Sequence, residues 1–158
     1  MIKKYTYNFD FFKWIKKTEL VQLSEINPDD DPVRPELDNN FRTSRGRKIF
    51  GLKYDNEIEG VVCIAFTNEL PETVKELDLM SINEKDSQIA IAYTLWSLKK
   101  GAGKKIMKEL LKYMKKHNNI DSIMTLSPLT PVATHYHIRN GARLIKIIPT
   151  TQNFEYKV

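Results

Sequence analysis

Apolar positions recur at two spacings along this chain, and the switches between them predict its elements. Residues 47–54 and 58–67 are apolar runs joined by Asp55-Asn56-Glu57, a short acidic and amide turn that reads as a hairpin. Residues 88–98 give the clearest strand, with Ile89, Ile91, Tyr93 and Leu95 expected on one face. Over 104–117 the spacing becomes helical. Ile106, Leu110, Tyr113 and Met114 fall on one side, and Lys104, Lys105, Lys108, Lys112, Lys115 and Lys116 lie largely away from it. Residues 120–126 are short and almost wholly apolar, as a buried central strand would be. Thr130-Pro131 supplies a cap followed by a first-turn proline, and Asn140-Gly141 supplies the stop, so a helix is predicted between them. Two strands close the chain at 143–148 and 154–158, where Phe154, Tyr156 and Val158 alternate as a half-buried strand does.

The remaining segments are less regular. Residues 72–79 read as a short helix. Residues 5–17 are rich in aromatics (Tyr5, Tyr7, Phe9, Phe11, Phe12, Trp14) and fit a strand over 5–9 or a helix face through Phe11, Phe12 and Ile15. Asn27-Pro28-Asp29-Asp30-Asp31-Pro32, with Pro35 behind it, is a loop, read as a surface loop in preference to a lid beside a substrate. Arg42, Arg45, Arg47 and Lys48 read as a solvated basic rim; an arginine fork there could also meet a carboxylate.

A length of 158 residues, with 41% hydrophobic and 28% charged, suits one ordinary globular domain. It divides into an aromatic segment and loop over 1–46 and a core over 47–158. The net charge of +5 is modest and spread along the chain, with no nucleic-acid signature, which favours a small anionic partner over nucleic acid. Cys63 is the single cysteine and lies in an apolar run, so a buried, inert thiol in a reducing, cytoplasmic setting is expected. No apolar run is long enough to span a membrane, and residues 1–4 lack a leader pattern. His117, His135 and His137 have no cysteine pair or H-E-x-x-H to join, so no metal is expected. The sequence leaves a homodimer open.

The candidate chemistry starts at Lys99-Lys100-Gly101-Ala102-Gly103-Lys104-Lys105, between the 88–98 strand and the 104–117 helix. Glycines at a strand-to-helix junction allow a tight turn and leave amides at a helix start, where an anion is favoured. This is neither a P-loop nor the three-glycine dinucleotide fingerprint. Taken alone, a G-x-G leaves a simple chain reversal equally open.

In its setting, this order of strand, glycine turn, helix, strand, helix and final hairpin resembles the GNAT superfamily of acyl-CoA N-acyltransferases over residues 47–158. Gly101 and Gly103 match its [RQ]-x-x-G-x-[GA] turn, and Leu98 stands where Arg or Gln is usual. The resemblance implies an α/β (α+β) fold with a mixed, largely antiparallel central sheet flanked by helices. It also implies a coenzyme A thioester as ligand, its diphosphate on the turn from Lys99 to Lys105 and its arm beside Tyr93, Leu95 and Trp96.

The segments I-M-T-L-S-P over 123–128 and P-V-A-T-H-Y-H-I-R-N-G-A over 131–142 are further similar to the catalytic domain of malonyl-CoA decarboxylase. That similarity implies Ser127 and His137 as catalytic residues and decarboxylation of malonyl-CoA to acetyl-CoA as the activity. The chain is too short for the helical domain of that family and lacks its long insertion between serine and histidine. The alternative is transfer of an acetyl group from acetyl-CoA to an amine. A third reading is a binding module for acyl-CoA or nucleic acid without turnover. His135 is expected to be structural and Tyr136 to be core.

Overall fold

A computed structural model describes residues 17–117 and 119–158, so the predicted aromatic element over 5–17 lies outside the described residues apart from its last position. Among the described residues, eight strands form one sheet in the order β1-β2-β3-β4-β5-β8-β6, with β7 on the free side of β8. They run β1 Thr18–Leu23, β2 Lys48–Tyr54, β3 Glu57–Thr67, β4 Ile89–Ser97, β5 Ser122–Thr125, β6 Ser127–Pro128, β7 Arg143–Ile147 and β8 Thr151–Lys157. Among the described residues, four α-helices flank them: α1 Asn39–Thr43, α2 Val74–Met80, α3 Ala102–Lys115 and α4 Pro131–Arg139. Every pairing is antiparallel except β4 with β5. That parallel step needs a crossover, which α3 supplies.

The sheet has a core on each face. Phe50, Leu52, Val62, Ile64 and Phe66 pack beneath Ile106, Met107, Leu110 and Met114 of α3. Ile49, Val61, Cys63, Ala65, Ile91 and Tyr93 pack on the other face with Leu37 and with Leu77 of α2. Packing on both faces explains why β3 reads as a continuous apolar run.

Three expectations are corrected. The face shared by Ile89, Ile91, Tyr93 and Leu95 is broken, because the β3–β4 register slips between Cys63 and Ile64, pairing Cys63 with Thr94 and Ile64 with Ala92. This bulge adds one residue at Tyr93, so Tyr93 and Trp96 join one core while Leu95 packs against the other. The half-buried alternation expected of the last strand is absent: β8 is buried from Thr151 to Tyr156 because it lies between β5, β6 and β7. The basic rim holds only in part, since Arg45 is exposed and Lys48 half-buried but the other two arginines are buried. Arg42 and Arg47 are 0% and 3% exposed. Strand β1 pairs with β2 along its whole length, and Asp31 and Leu37 of the 27–38 span are buried. The sheet and its helices form a single domain in the described residues.

The buried arginines are neutralised where they lie. Arg42 pairs with Asp31 at 2.9 Å, both side chains fully buried, and its remaining donors reach the carbonyls of Leu37 and Arg34. Asp31 also accepts from Thr94 Oγ1 and from the amides of Val33 and Arg34. Arg47 reaches Ser81, Ser44, the Phe41 carbonyl and Asp78. A buried charge is tolerated only with such partners. The Asn27–Asp30 stretch lies largely at the surface, as expected, and Asp31 at its end is tied to Thr94 of β4.

Candidate active site

The site begins where β4 and β5 part. They pair from Ile89 with Ser122 to Ala92 with Thr125, and the Leu126 amide donates to the Ala92 carbonyl at 3.2 Å. Beyond this, β4 continues to Ser97 against β3, while Ser127 and Pro128 turn away to pair with Gln152 and Thr151 of β8. The wedge between them leaves carbonyls without strand partners. Arg34 spans it, donating from Nε to the Tyr93 carbonyl at 2.9 Å and from Nη2 to the Leu126 carbonyl at 3.0 Å. Burial pulls the Arg34 guanidinium below its ordinary pKa, against the opposing fields of Glu36 and Asp31.

The wedge holds a cavity of about 330 Å³. Tyr93, Leu95 and Trp96 line one wall, Ser127 and His137 the other, and Pro32 and Val33 close one side. An outer groove of about 630 Å³ shares Ser97, Val132 and Tyr136 with it and runs out to Gly101, Gly103 and Lys104. The two form one path from the glycine turn to His137.

At the outer end, Gly101 caps α3 with φ +84°, a left-handed conformation that glycine adopts without strain. The amides of Gly103 and Lys104 have no intramolecular acceptor among the described residues, as expected of a first helical turn. Gly103 is required for a different reason: a Cβ there would lie 2.9 Å from Tyr136 Cε2 and 3.3 Å from Ser97 Oγ. The Tyr136 hydroxyl donates to the Gly103 carbonyl at 2.6 Å, latching α4 to the start of α3. Burial raises the pKa of that phenol.

At the inner end, four side chains form a continuous relay. Thr125 Oγ1 accepts from Ser127 Oγ at 2.8 Å and from the Phe154 amide at 3.0 Å. Ser127 Oγ lies 3.1 Å from His137 Nε2, and His137 Nδ1 lies 2.7 Å from the Tyr156 hydroxyl. With the Ser127 proton directed at Thr125, the chain closes with Nε2–H donating to Ser127 and Tyr156 donating to Nδ1. Turning the Ser127 hydroxyl toward His137 reverses those roles. His137 is 8% exposed, and burial lowers its pKa from 6.5 to about 4, so the ring is neutral near neutral pH. Burial also raises the pKa of Tyr156.

The residues singled out from sequence separate into three groups. Gly101, Gly103 and Lys104 line the outer groove; Tyr93, Leu95, Trp96, Ser127 and His137 line the inner cavity. Four others lie away from the path. Lys99 pairs with Glu57 at 2.6 Å, Lys105 lies over the Tyr54 ring, Ala102 is buried in the core, and Lys100 lines neither space. His135, expected to be structural, is exposed and lines the outer groove with Arg139. Sequence reasoning missed Arg34, Thr94, Thr125 and Tyr156. For Thr125 and Tyr156 a signal existed: each lies on a strand predicted to flank Ser127 and His137.

Cys63 is buried, and burial raises its pKa to about 11, which fits the inert thiol expected. Among the described residues no three His, Cys, Asp or Glu side chains converge as a metal site. No helix among them is long and apolar enough to cross a membrane.

In sequence, the chain matches no protein-family model and no curated protein. Solved structures do match its architecture. A Bacillus subtilis acetyltransferase in complex with CoA superposes on 90% of this chain and 99% of its own, with a TM-score of 0.62 at 14% identity. The chain has the GNAT fold. The loading GNATL domain of CurA from Lyngbya majuscula gives a TM-score of 0.66 at 14% identity, covering 89% of this chain and 98% of that domain. Malonyl-CoA decarboxylase from Cupriavidus metallidurans gives a TM-score of 0.50 at 20% identity, over 71% of this chain and 31% of its own. The expected mixed, largely antiparallel GNAT sheet is therefore the observed one.

Proposed function

We propose that this GNAT-fold chain is an enzyme that binds a coenzyme A thioester along the path between β4 and α4 and transfers the acyl group to an amine. The observation that carries the reading is the continuity of that path, from free amides at Gly103 and Lys104 to the neutral imidazole of His137. Coenzyme A has the matching shape: a charged diphosphate head, a narrow arm and a thioester tip. Solved acetyltransferases of similar fold in complex with coenzyme A support a ligand of this class.

In transfer, the amine nitrogen attacks the thioester carbon and the carbon–sulfur bond breaks. His137 accepts the amine proton directly or through Ser127, and the departing thiolate takes a proton. A neutral ring suits the acceptor role, and a positioned base contributes roughly 100- to 10,000-fold. Tyr136 takes no part in the proposed chemistry, because its hydroxyl is committed to Gly103.

Incubation with acetyl-CoA and separate polyamine, amino-acid and peptide acceptors tests the reading. Acceptor-dependent release of free thiol, lost in His137→Asn, is expected. Absence of both acetyl-CoA binding and thiol release contradicts it.

A second reading rests on the direct Ser127–His137 contact and the decarboxylase likeness. In malonyl-CoA decarboxylation the carbon–carbon bond breaks, CO2 leaves and the electron pair moves onto the thioester oxygen. A neutral Nε2–H could hydrogen-bond that enolate, and the Ser127 relay could return a proton to carbon. Preorganised donors of this kind supply about 3–4 kcal/mol each. The preponderance of acetyltransferases among the structural neighbours places this reading second. Formation of acetyl-CoA from malonyl-CoA without any amine would reverse the order.

A further inference from the structure

The lining of the outer groove is cationic on both sides. Lys104 stands on α3; His135 and Arg139 stand across from it on α4. The two α4 residues are four apart, which puts them on one face about 6 Å apart along the axis. None of the three makes an ion pair or a side-chain hydrogen bond among the described residues, and no Asp or Glu lines the groove. Some exposed cations elsewhere do have acid partners, among them Lys99 with Glu57 and Arg143 with Glu155. Lys104 and Arg139 on opposite walls give this concave space a positive potential that favours an anion.

The α4 wall is held in position. The Tyr136 latch to Gly103 fixes α4 against the start of α3 and so sets the width of the groove. His135 and Arg139 flank Tyr136 in sequence, so the latch carries both to the rim.

We propose that His135 and Arg139 form a second, side-chain wall for the diphosphate-bearing end of the ligand, and that this wall selects nucleotide-bearing thioesters over bare pantetheine thioesters. The proposal rests on the coenzyme A reading above and deepens it. Amides at the start of α3 hold one side of the phosphates. Arg139, whose planar fork matches phosphate oxygens, holds the other, with His135 beside it. The inner cavity does not take part in this selection, because it meets only the arm and the acyl group.

Calorimetric titration with acetyl-CoA and with S-acetylpantetheine separates the two ends. The double variant His135→Ala/Arg139→Ala is expected to weaken acetyl-CoA binding by roughly tenfold, the scale of one charge-assisted hydrogen bond. Its affinity for S-acetylpantetheine is expected to stay within about twofold of wild type, because charge-assisted bonds to phosphate are absent from that ligand. Arg139→Lys, which keeps the charge, should lose less acetyl-CoA affinity than Arg139→Ala. Equal acetyl-CoA affinity in wild type and double variant overturns the second wall alone and leaves the coenzyme A reading standing. Equal weakening of both ligands also overturns it, since a disturbed fold then explains the loss. A wild-type protein that binds neither ligand removes the coenzyme A reading and the wall with it.

Discussion

The two ends of the groove are built on opposite principles. The inner end is buried, neutral and closed by hydrogen bonds: Tyr156, His137, Ser127 and Thr125 satisfy one another in series. The outer end is exposed and cationic, and its donors are unpaired. Burial in a low dielectric strengthens each interaction inside, and water screens each one outside. Chemistry is therefore expected to reside at the inner end, where a group can be held in one protonation state. Capture of the charged head is expected at the outer end, where several weak contacts add. The distinction also fixes what each substitution should change.

The largest effect is expected from His137→Asn, which removes the ring nitrogen that faces Ser127. Turnover should fall by roughly 100- to 10,000-fold while acetyl-CoA affinity changes little. Loss of affinity in step with turnover would erase the contrast between the ends. Next comes the rigid wall of the cavity. Asp31→Ala leaves Arg42 buried without its partner and should cost about 3–5 kcal/mol of stability, read as a lower urea midpoint. A negligible shift would mean that the 27–38 span is not held by this pair.

A smaller effect follows from the titration of His137. Its folded pKa is depressed to about 4, below its unfolded value. Between these values the unfolded state binds more protons, so stability falls as pH drops from about 6.5 toward 4 and is fully present above that window. The contribution is on the order of 3 kcal/mol. Urea midpoints at pH 7.5 and 4.5 should differ less in His137→Asn than in wild type. An unchanged difference would mean that the ring is not held neutral by burial. Gly103→Ala should act on the outer end, because its Cβ would lie 2.9 Å from the Tyr136 ring. Weaker acetyl-CoA binding with a folded protein is expected; unchanged binding would show that the latch does not set the groove.

Much of this was legible in the chain itself. Thr130-Pro131 marked the start of α4, and Thr130 does accept from the Ala133 amide. Gly101 marks the turn, and a motif likeness singles out Ser127 and His137 without showing that they meet, which the 3.1 Å contact does. Other features could not be read from local pattern. The bulge at Tyr93 depends on how β3 and β4 register, which is a pairing property and not a spacing property. Arg42 carries a charge that patterning assigns to solvent, and its burial is tolerable only with Asp31 and the carbonyls of Arg34 and Leu37 around it. The spacing that sets His135 apart from His137 identifies its side of the helix but not what stands across from it. Strand β1 was overlooked beside the aromatic run that precedes it, although its burial does follow a partial alternation.

The central claim is that a thioester carbon comes to rest beside the imidazole of residue 137. A crystal structure of the protein with a non-hydrolysable acetyl-CoA analogue tests it most directly. The account predicts the diphosphate against the amides of Gly103 and Lys104, with the acyl carbonyl within hydrogen-bond reach of His137 Nε2 or Ser127 Oγ. An analogue bound elsewhere, or bound with its acyl end directed out of the wedge between β4 and β5, would contradict it.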